Sequence, residues 1–238
     1  MSALHTLAEG GFAFLEGVFP YSQGAVALDG YAIERVCFAR PLPLAEGFGR
    51  IAAHLQGVGR PKTALCACEL RSPRPFSFAG FSEFNRGYVA VLEQWGLYRD
   101  GRNAVARSNV APEINPPAEP SFYAFSYTVP AAHGRRDFVV AGSGEWPEGG
   151  RFPEDIVSGL RNKVVWVLDK MEERMRGLGG FGFGDASAVQ VYTVRRFPMD
   201  LVAQRAGGAV VWHYCRPPIE GLEFEMDTRS VSVERRLA

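Results

Sequence analysis

The chain has 238 residues, of which 47% are hydrophobic and 22% charged, with 26 basic and 26 acidic side chains. This is an ordinary globular composition, and the balanced charge leaves no net positive field to favour nucleic acid or an anionic membrane. No apolar run approaches the roughly 18–20 residues that span a bilayer, and residues 1–11 lack the basic-then-apolar order of a secretory signal. Cysteines stand at positions 37, 66, 68 and 215; free thiols in a reducing cytosol are the simplest reading, so a cytoplasmic protein is expected. Cys66 and Cys68 share one face of a strand. Core packing is preferred there to a metal site, because no histidine or second cysteine pair lies near them in sequence.

Phe19-Pro20-Tyr21-Ser22-Gln23-Gly24 places a phenol, a hydroxyl and an amide after a proline and ahead of a strand-like segment. Residues 31–39 read as a strand. Residues 44–58 carry Phe48, Ile51, Ala52 and Leu55 at helical spacing, and Gly57 and Gly59 mark the stop. Residues 63–70 read as a buried strand. Residues 78–95 form a second helix with Phe81, Phe84, Tyr88, Val91 and Leu92 on one side. A polar connection at 98–103 leads to a short strand at 104–110. The prolines of residues 115–120 make a loop, and 121–129 close the first half as a strand.

The second half repeats the pattern. Residues 137–142 read as a strand, and 154–176 as a long helix with Val157, Leu160, Val164, Val167, Leu168, Met171 and Met175 on its buried face. The glycine-rich run 177–184 ends it. A strand at 186–194 and a shortened helix at 199–205 follow, then strands at 209–215 and 222–227. Each half therefore reads strand, helix, strand, helix, strand, strand, which forms a sheet with helices on one face. The fold class is α+β, with two tandem units: residues 1–130, and 131–238 with the shortened second helix. The boundary falls where Pro, Gly and charge accumulate.

Several short patches appear in a recognisable order. The first half carries Pro20-Tyr21-Ser22-Gln23, then Phe81-x-x-x-Asn85-x-x-Tyr88, then Ala106-Arg107-Ser108; the second carries Gly142-Ser143-Gly144-Glu145, and Pro217 before Leu222-Glu223-Phe224-Glu225. On these patches the chain resembles the RidA (YjgF) family of imine and enamine deaminases, whose unit is a small sheet with two helices. The opening Phe14 to Gln23 further resembles a divergent two-domain group of 2-aminomuconate deaminases, of the 2-amino-5-chloromuconate type. Ala39-Arg40-Pro41 stands where a Ser-Gly turn is expected, Tyr123 where the family acid falls, and Gly207-Gly208 where the arginine would fall. What one half lacks, the other keeps.

The resemblance implies a cofactor-free hydrolytic deaminase of a small unsaturated 2-amino acid, without metal, from a family that trimerises. Its arginine is matched by Arg107, suited to grip a carboxylate in bidentate fashion. Tyr21 can orient substrate or relay a proton, or simply pack over a strand. Glu223 can serve as general base. It shares a strand face with Glu225, and that face either lines a cleft or is solvated. Glu145 either meets the substrate amine or caps its turn. Ser143 and adjacent N–H groups suit an anion; Ser22 can do the same or bond only its own turn, and Asn85 can touch substrate or fix a helix on its sheet. His213 reads as a buried, satisfied side chain. A dicarboxylate needs a second cation, for which Arg40, Arg102 and Arg216 are candidates. Arg107 and the acid are expected to meet across an interface of halves or subunits. Two other classes stay open: a non-catalytic ligand-binding or scaffold protein, marked by a pocket without an acid near Arg107, and a chorismatase-like hydrolase, marked by a larger pocket with several arginines and an acid. A ribonuclease reading suits neither the balanced charge nor the lack of a basic stripe.

Overall fold

The apolar runs and alternating segments resolve into two sheets with helices on their outer faces. The computed structural model describes residues 2–132, 136–147, 156–206 and 209–237. The chain opens with an antiparallel run of β1 (Leu4–Leu7), β2 (Phe12–Leu15) and β3 (Gly24–Ala27). β4 (Tyr31–Pro43), α1 (Leu44–Gly57), β5 (Leu65–Arg71) and α2 (Phe78–Gln94) follow. A small hairpin of β6 (Tyr98–Arg99) and β7 (Arg102–Asn103) leads to β8 (Ala106–Pro112) and β9 (Ser121–Pro130). Then come β10 (Phe138–Gly144), α3 (Leu160–Gly179), β11 (Ala188–Tyr192) and α4 (Met199–Arg205). β12 (Val210–His213), β13 (Cys215–Arg216), β14 (Glu225–Ser230) and β15 (Val233–Leu237) complete the chain.

A seven-stranded sheet has the order β1-β2-β3-β10-β14-β11-β12, and a six-stranded sheet the order β13-β8-β5-β9-β4-β15. Both are mixed: β5–β8, β4–β15 and β11–β12 pair in parallel and the other pairs are antiparallel. Each sheet draws strands from both sides of residue 130. β1, β2 and β3 join the strands of the second half, while β13 and β15 join those of the first.

Three readings of the sequence change here. The long helix begins at Leu160; residues 154 and 155 lie outside the described residues, and Gly159 has φ 79, a left-handed backbone that cannot continue a right-handed helix. The segment 209–215 breaks at Tyr214 into β12 and β13, which belong to different sheets. The closing acidic strand starts at Glu225, three residues later than its alternation suggests. Gly207 and Gly208 lie outside the described residues.

Packing follows strand parity. On β5, Cys66, Cys68 and Leu70 join the core built by Phe48, Ile51 and Leu55 of α1 and Tyr88, Val89 and Leu92 of α2. On α3, Val164, Val167, Leu168, Met171, Met175 and Leu178 cover Phe138, Val140, Val189, Val191 and Met226. Where β8 faces β10, Ala67, Ala106 and Ala141 form one cluster of small side chains. Beside it Arg35 grips Glu69 through Nε and Nη2 at 2.5 and 2.8 Å. All four cysteines are free thiols, and burial pushes Cys68 up to about 12.

Candidate active site

Ser77 caps α2 by accepting a hydrogen bond from the N–H of Gly80 at 3.1 Å. That start sets Phe78, Phe81, Ser82 and Asn85 on one face at spacings of three, four and seven. The face forms one wall of a cavity of about 600 Å³. Val18 to Tyr21, Arg107 and Asn109 of β8, Gly142 to Gly144 of β10, Trp146, Arg174 and Glu225 also line it. The walls therefore come from both halves of one chain. Phe78 and Trp146 meet edge to face, with ring centroids 5.5 Å apart.

Arg107 is 3% exposed, and neither terminal guanidinium nitrogen has a hydrogen-bond partner among the described residues. Aromatic rings cage it instead: Tyr88 at 4.8 Å, Tyr21 at 5.2 Å, Phe81 at 5.5 Å and Phe84 at 5.8 Å. Burial pulls its pKa down, and the Tyr88 and Tyr21 phenols act against that. Cation–π contacts recover only part of what a buried charge loses on leaving water. A guanidinium so held, with Nη1 and Nη2 both without a partner among the described residues, has the geometry to accept a carboxylate.

Among the described residues Glu225 is the acid that lines this cavity. It is 3% exposed, and its carboxyl pKa stands well above the ordinary range. Burial is the main cause, and the neighbouring carboxylates of Asp227 and Glu145 add to it. A carboxyl of this kind keeps its proton to higher pH than an exposed one and can give and retake it. Gly142 lies beneath it, on the bulged stretch of β10 where the pairing with β14 shifts register.

Tyr21, Arg107, Asn85 and Ser143 are all brought together at the cavity. The Ser143 hydroxyl donates to the Gly144 carbonyl at 3.4 Å. Ser22 lies behind the lining, fully buried, donating to the carbonyls of Gly24 and Ala104 at 3.3 Å each.

The two other acids named from sequence lie outside the cavity lining. Glu223 precedes β14, so strand alternation does not carry it to the face of Glu225. It binds Lys163 Nζ at 2.8 Å and Arg195 Nη2 at 3.0 Å, and the hydrogen bond from Lys163 lowers its pKa. Glu145 is fully buried. Its carboxylate accepts the N–H groups of Glu223 at 2.6 Å and Phe224 at 3.1 Å, and Lys163 Nζ at 2.9 Å. The Glu145–Lys163 pair thus fixes the entry into β14, which aims Glu225 inward.

Arg40, Arg102 and Arg216 also lie away from the lining, Arg40 beside Glu46 and Arg216 against Glu113. Among the described residues the cations that reach the cavity besides Arg107 are Arg86 and Arg174. Arg174 is 3% exposed and its Nη1 donates to the carbonyls of Ala141 and Gly142 at 3.0 and 3.2 Å. A signal for it existed: an arginine between Met171, Met175 and Leu178 sits on the buried face of its helix. Asn109 carried a signal as well, two residues beyond Arg107 and so on the same face of its strand.

The family described as 2-aminomuconate deaminase CnbZ matches residues 4–235. A 2-amino-5-chloromuconate deaminase of Comamonas testosteroni is 47% identical over 236 residues, covering 92% of this chain and 93% of its own length. Among solved structures, a chorismatase superposes with a TM-score of 0.53 at 14% identity, covering 93% of this chain and 77% of that one, and so shares the fold. A Rid-family protein of Yersinia pestis covers 44% of this chain and 83% of its own, at 19% identity and a TM-score of 0.33. With the family match running from Leu4 to Arg235, the chain belongs to the 2-aminomuconate deaminase family, enzymes acting on a carbon–nitrogen bond.

Proposed function

We propose that the protein hydrolytically deaminates a small unsaturated 2-amino acid, 2-aminomuconate or its 5-chloro analogue, at the cavity between its halves. The observation that carries this reading is the unpaired, caged Arg107 sharing one cavity with the high-pKa acid Glu225. Arg107 holds the carboxylate next to the amino-bearing carbon. Asn85, whose buried Oδ1 has no partner, accepts a hydrogen bond from the substrate amine. Ser143 and Tyr21 complete the polar lining.

In the reaction the protonated Glu225 gives its proton to the enamine carbon, and the electrons of the C=C bond and the nitrogen lone pair rearrange to an iminium. The resulting carboxylate takes a proton from water as the water oxygen bonds to the iminium carbon. That proton then passes to nitrogen, the C–N bond breaks as the carbinol oxygen forms the C=O bond, ammonia leaves, and the hydroxyl proton returns to Glu225. Water and enamine acid thus become ammonia and a 2-oxo acid or its enol; for 2-aminomuconate the product is 2-hydroxymuconate or its oxo tautomer. No step calls for a cofactor.

Glu225 beside Arg107 weighs against a binding protein without catalysis. A chorismatase-like reaction is the second reading, favoured by the three arginines and the acid on one cavity. Residues 1–130 and 131–238 are proposed as the two units of descent, a trimer as the assembly and a reducing cytoplasm as the compartment. Among the described residues no helix is long and apolar enough to cross a membrane. The experiment is ammonia release from 2-aminomuconate, 2-amino-5-chloromuconate and 2-aminoacrylate, with chorismate hydrolysis run in parallel. Release from a muconate substrate supports the reading; hydrolysis of chorismate alone replaces it with the second.

A further inference from the structure

Asn109 has no role in the steps above, yet its surroundings are unusual. It lies two residues after Arg107 on β8, is 3% exposed and lines the same cavity. Its carboxamide is half used. The Ser72 hydroxyl, itself fully buried, donates to Asn109 Oδ1 at 2.9 Å. The backbone N–H of Ser72 donates to the Val110 carbonyl at 2.9 Å, which fixes the serine against the same strand. With the oxygen engaged by Ser72, the amide nitrogen is the free end. Asn109 Nδ2 is buried and has no acceptor among the described residues.

A buried amide donor without an acceptor is costly, and native proteins rarely keep one idle. Two kinds of unpaired donor, Arg107 Nη1 and Nη2 and Asn109 Nδ2, stand on one face of one strand. We infer that Asn109, oriented by Ser72, is a substrate-binding residue whose Nδ2 joins the Arg107 guanidinium in holding the substrate carboxylate. This rests on the reading of the cavity as an enamine-acid site. Carboxylate specificity then lies in a constellation of charged and neutral donors, and Ser72 acts as a positioning residue that keeps the amide's acceptor oxygen away from the anion.

The substitution Asn109→Asp is the sharpest probe, because it is nearly isosteric and replaces the donor with an anion that would itself occupy Arg107. Muconate, a stable dicarboxylate without the amino group, is titrated calorimetrically into the full-length wild type, Asn109→Asp, Asn109→Ala and Ser72→Ala. The expected losses of affinity are about tenfold for Asn109→Ala and about a hundredfold for Asn109→Asp, with Ser72→Ala between wild type and Asn109→Ala. Thermal melts establish which variants are folded; if Asn109→Asp is not, Asn109→Ala and Asn109→Ser carry the comparison. Wild-type affinity in folded Asn109 variants, or no binding of muconate by the wild type, overturns the inference. Ammonia release is measured separately. A wild type that binds muconate in the predicted order of variants but releases no ammonia from 2-aminomuconate would sink the deaminase reading and leave the carboxylate site standing.

Discussion

Glu225 rests its carboxyl directly over Gly142, with its Oε1 in space that any side chain at 142 would need. Gly142 does not have the left-handed backbone that by itself calls for glycine, so this close approach is what favours glycine there. Ser108 closes the other side, its Cβ 3.0 Å from the same point. Gly142→Ala should push Glu225 off its buried seat towards a wetter position, where its pKa falls. If the protonated acid starts the reaction, kcat drops by about tenfold or more, and the alkaline limb of its pH profile moves to lower pH. A kcat–pH profile of the variant checks this. An unmoved limb would mean that the glycine serves packing alone.

Burying Arg107 costs stability that its cation–π contacts offset only in part. Arg107→Met should therefore act in opposite directions on function and stability. Loss of the charged, bidentate contact should lower kcat/KM by about two orders of magnitude or more. Without ligand the variant should melt a few degrees above the wild type, because a buried, incompletely compensated charge has been replaced by an apolar side chain of similar reach. Steady-state kinetics and thermal melts on the same preparations test both signs.

The acids at 145, 223 and 225 separate by substitution. Glu223→Gln keeps a hydrogen-bonding partner for Lys163, and turnover should stay within about threefold of wild type. Glu145→Ala strips the buried Lys163 of its nearest buried anion and leaves the N–H groups of Glu223 and Phe224 without an acceptor. It should cost about 3–5 kcal/mol of stability, read by urea denaturation.

Much of this was legible beforehand, and the failures have physical causes. Tyr21, Asn85, Arg107 and Ser143, singled out from sequence, line one cavity because each sits in a local pattern of type and order that survives folding. The fold class followed from helical and strand periodicity, as α1, α2, β5 and β9 show. The sequence pointed to Glu223, which lies outside the cavity lining, because parity within a strand says which residues share a face, but not where the strand begins. That start is fixed by the carboxylate of Glu145, 78 residues away from Glu223. β1, β2 and β15 were missed because they are short; β15 also pairs with β4 from the opposite half, and β1 and β2 join their sheet through β3, whose other partner is β10 of the opposite half. Asn109 was passed over because only the Ser72 contact, 37 residues away, shows which end of its amide is free.

The buried Arg35–Glu69 pair, both members on the six-stranded sheet, predicts an acid limit. Burial alone would push the Glu69 carboxyl up, but the bidentate Arg35 guanidinium pulls it down to about 2. A carboxyl lowered in the folded state stabilises fully above its unfolded value near 4.5, and that contribution is lost as pH falls towards 2. Glu69→Gln should lower Tm at pH 7 and flatten its decline between pH 4.5 and pH 2. Melts across that window check it; a slope equal to the wild type's would assign the acid sensitivity elsewhere.

The central claim is that one cavity joins a carboxylate receptor to an acid that moves the proton. Its most direct test is the rate of ammonia release from 2-aminomuconate by wild type and Glu225→Gln, at saturating substrate and neutral pH. The account predicts steady release by the wild type and a fall in kcat of about a hundredfold to ten-thousandfold in the variant, with muconate affinity changed little. A Glu225→Gln enzyme that turns over at the wild-type rate would contradict it.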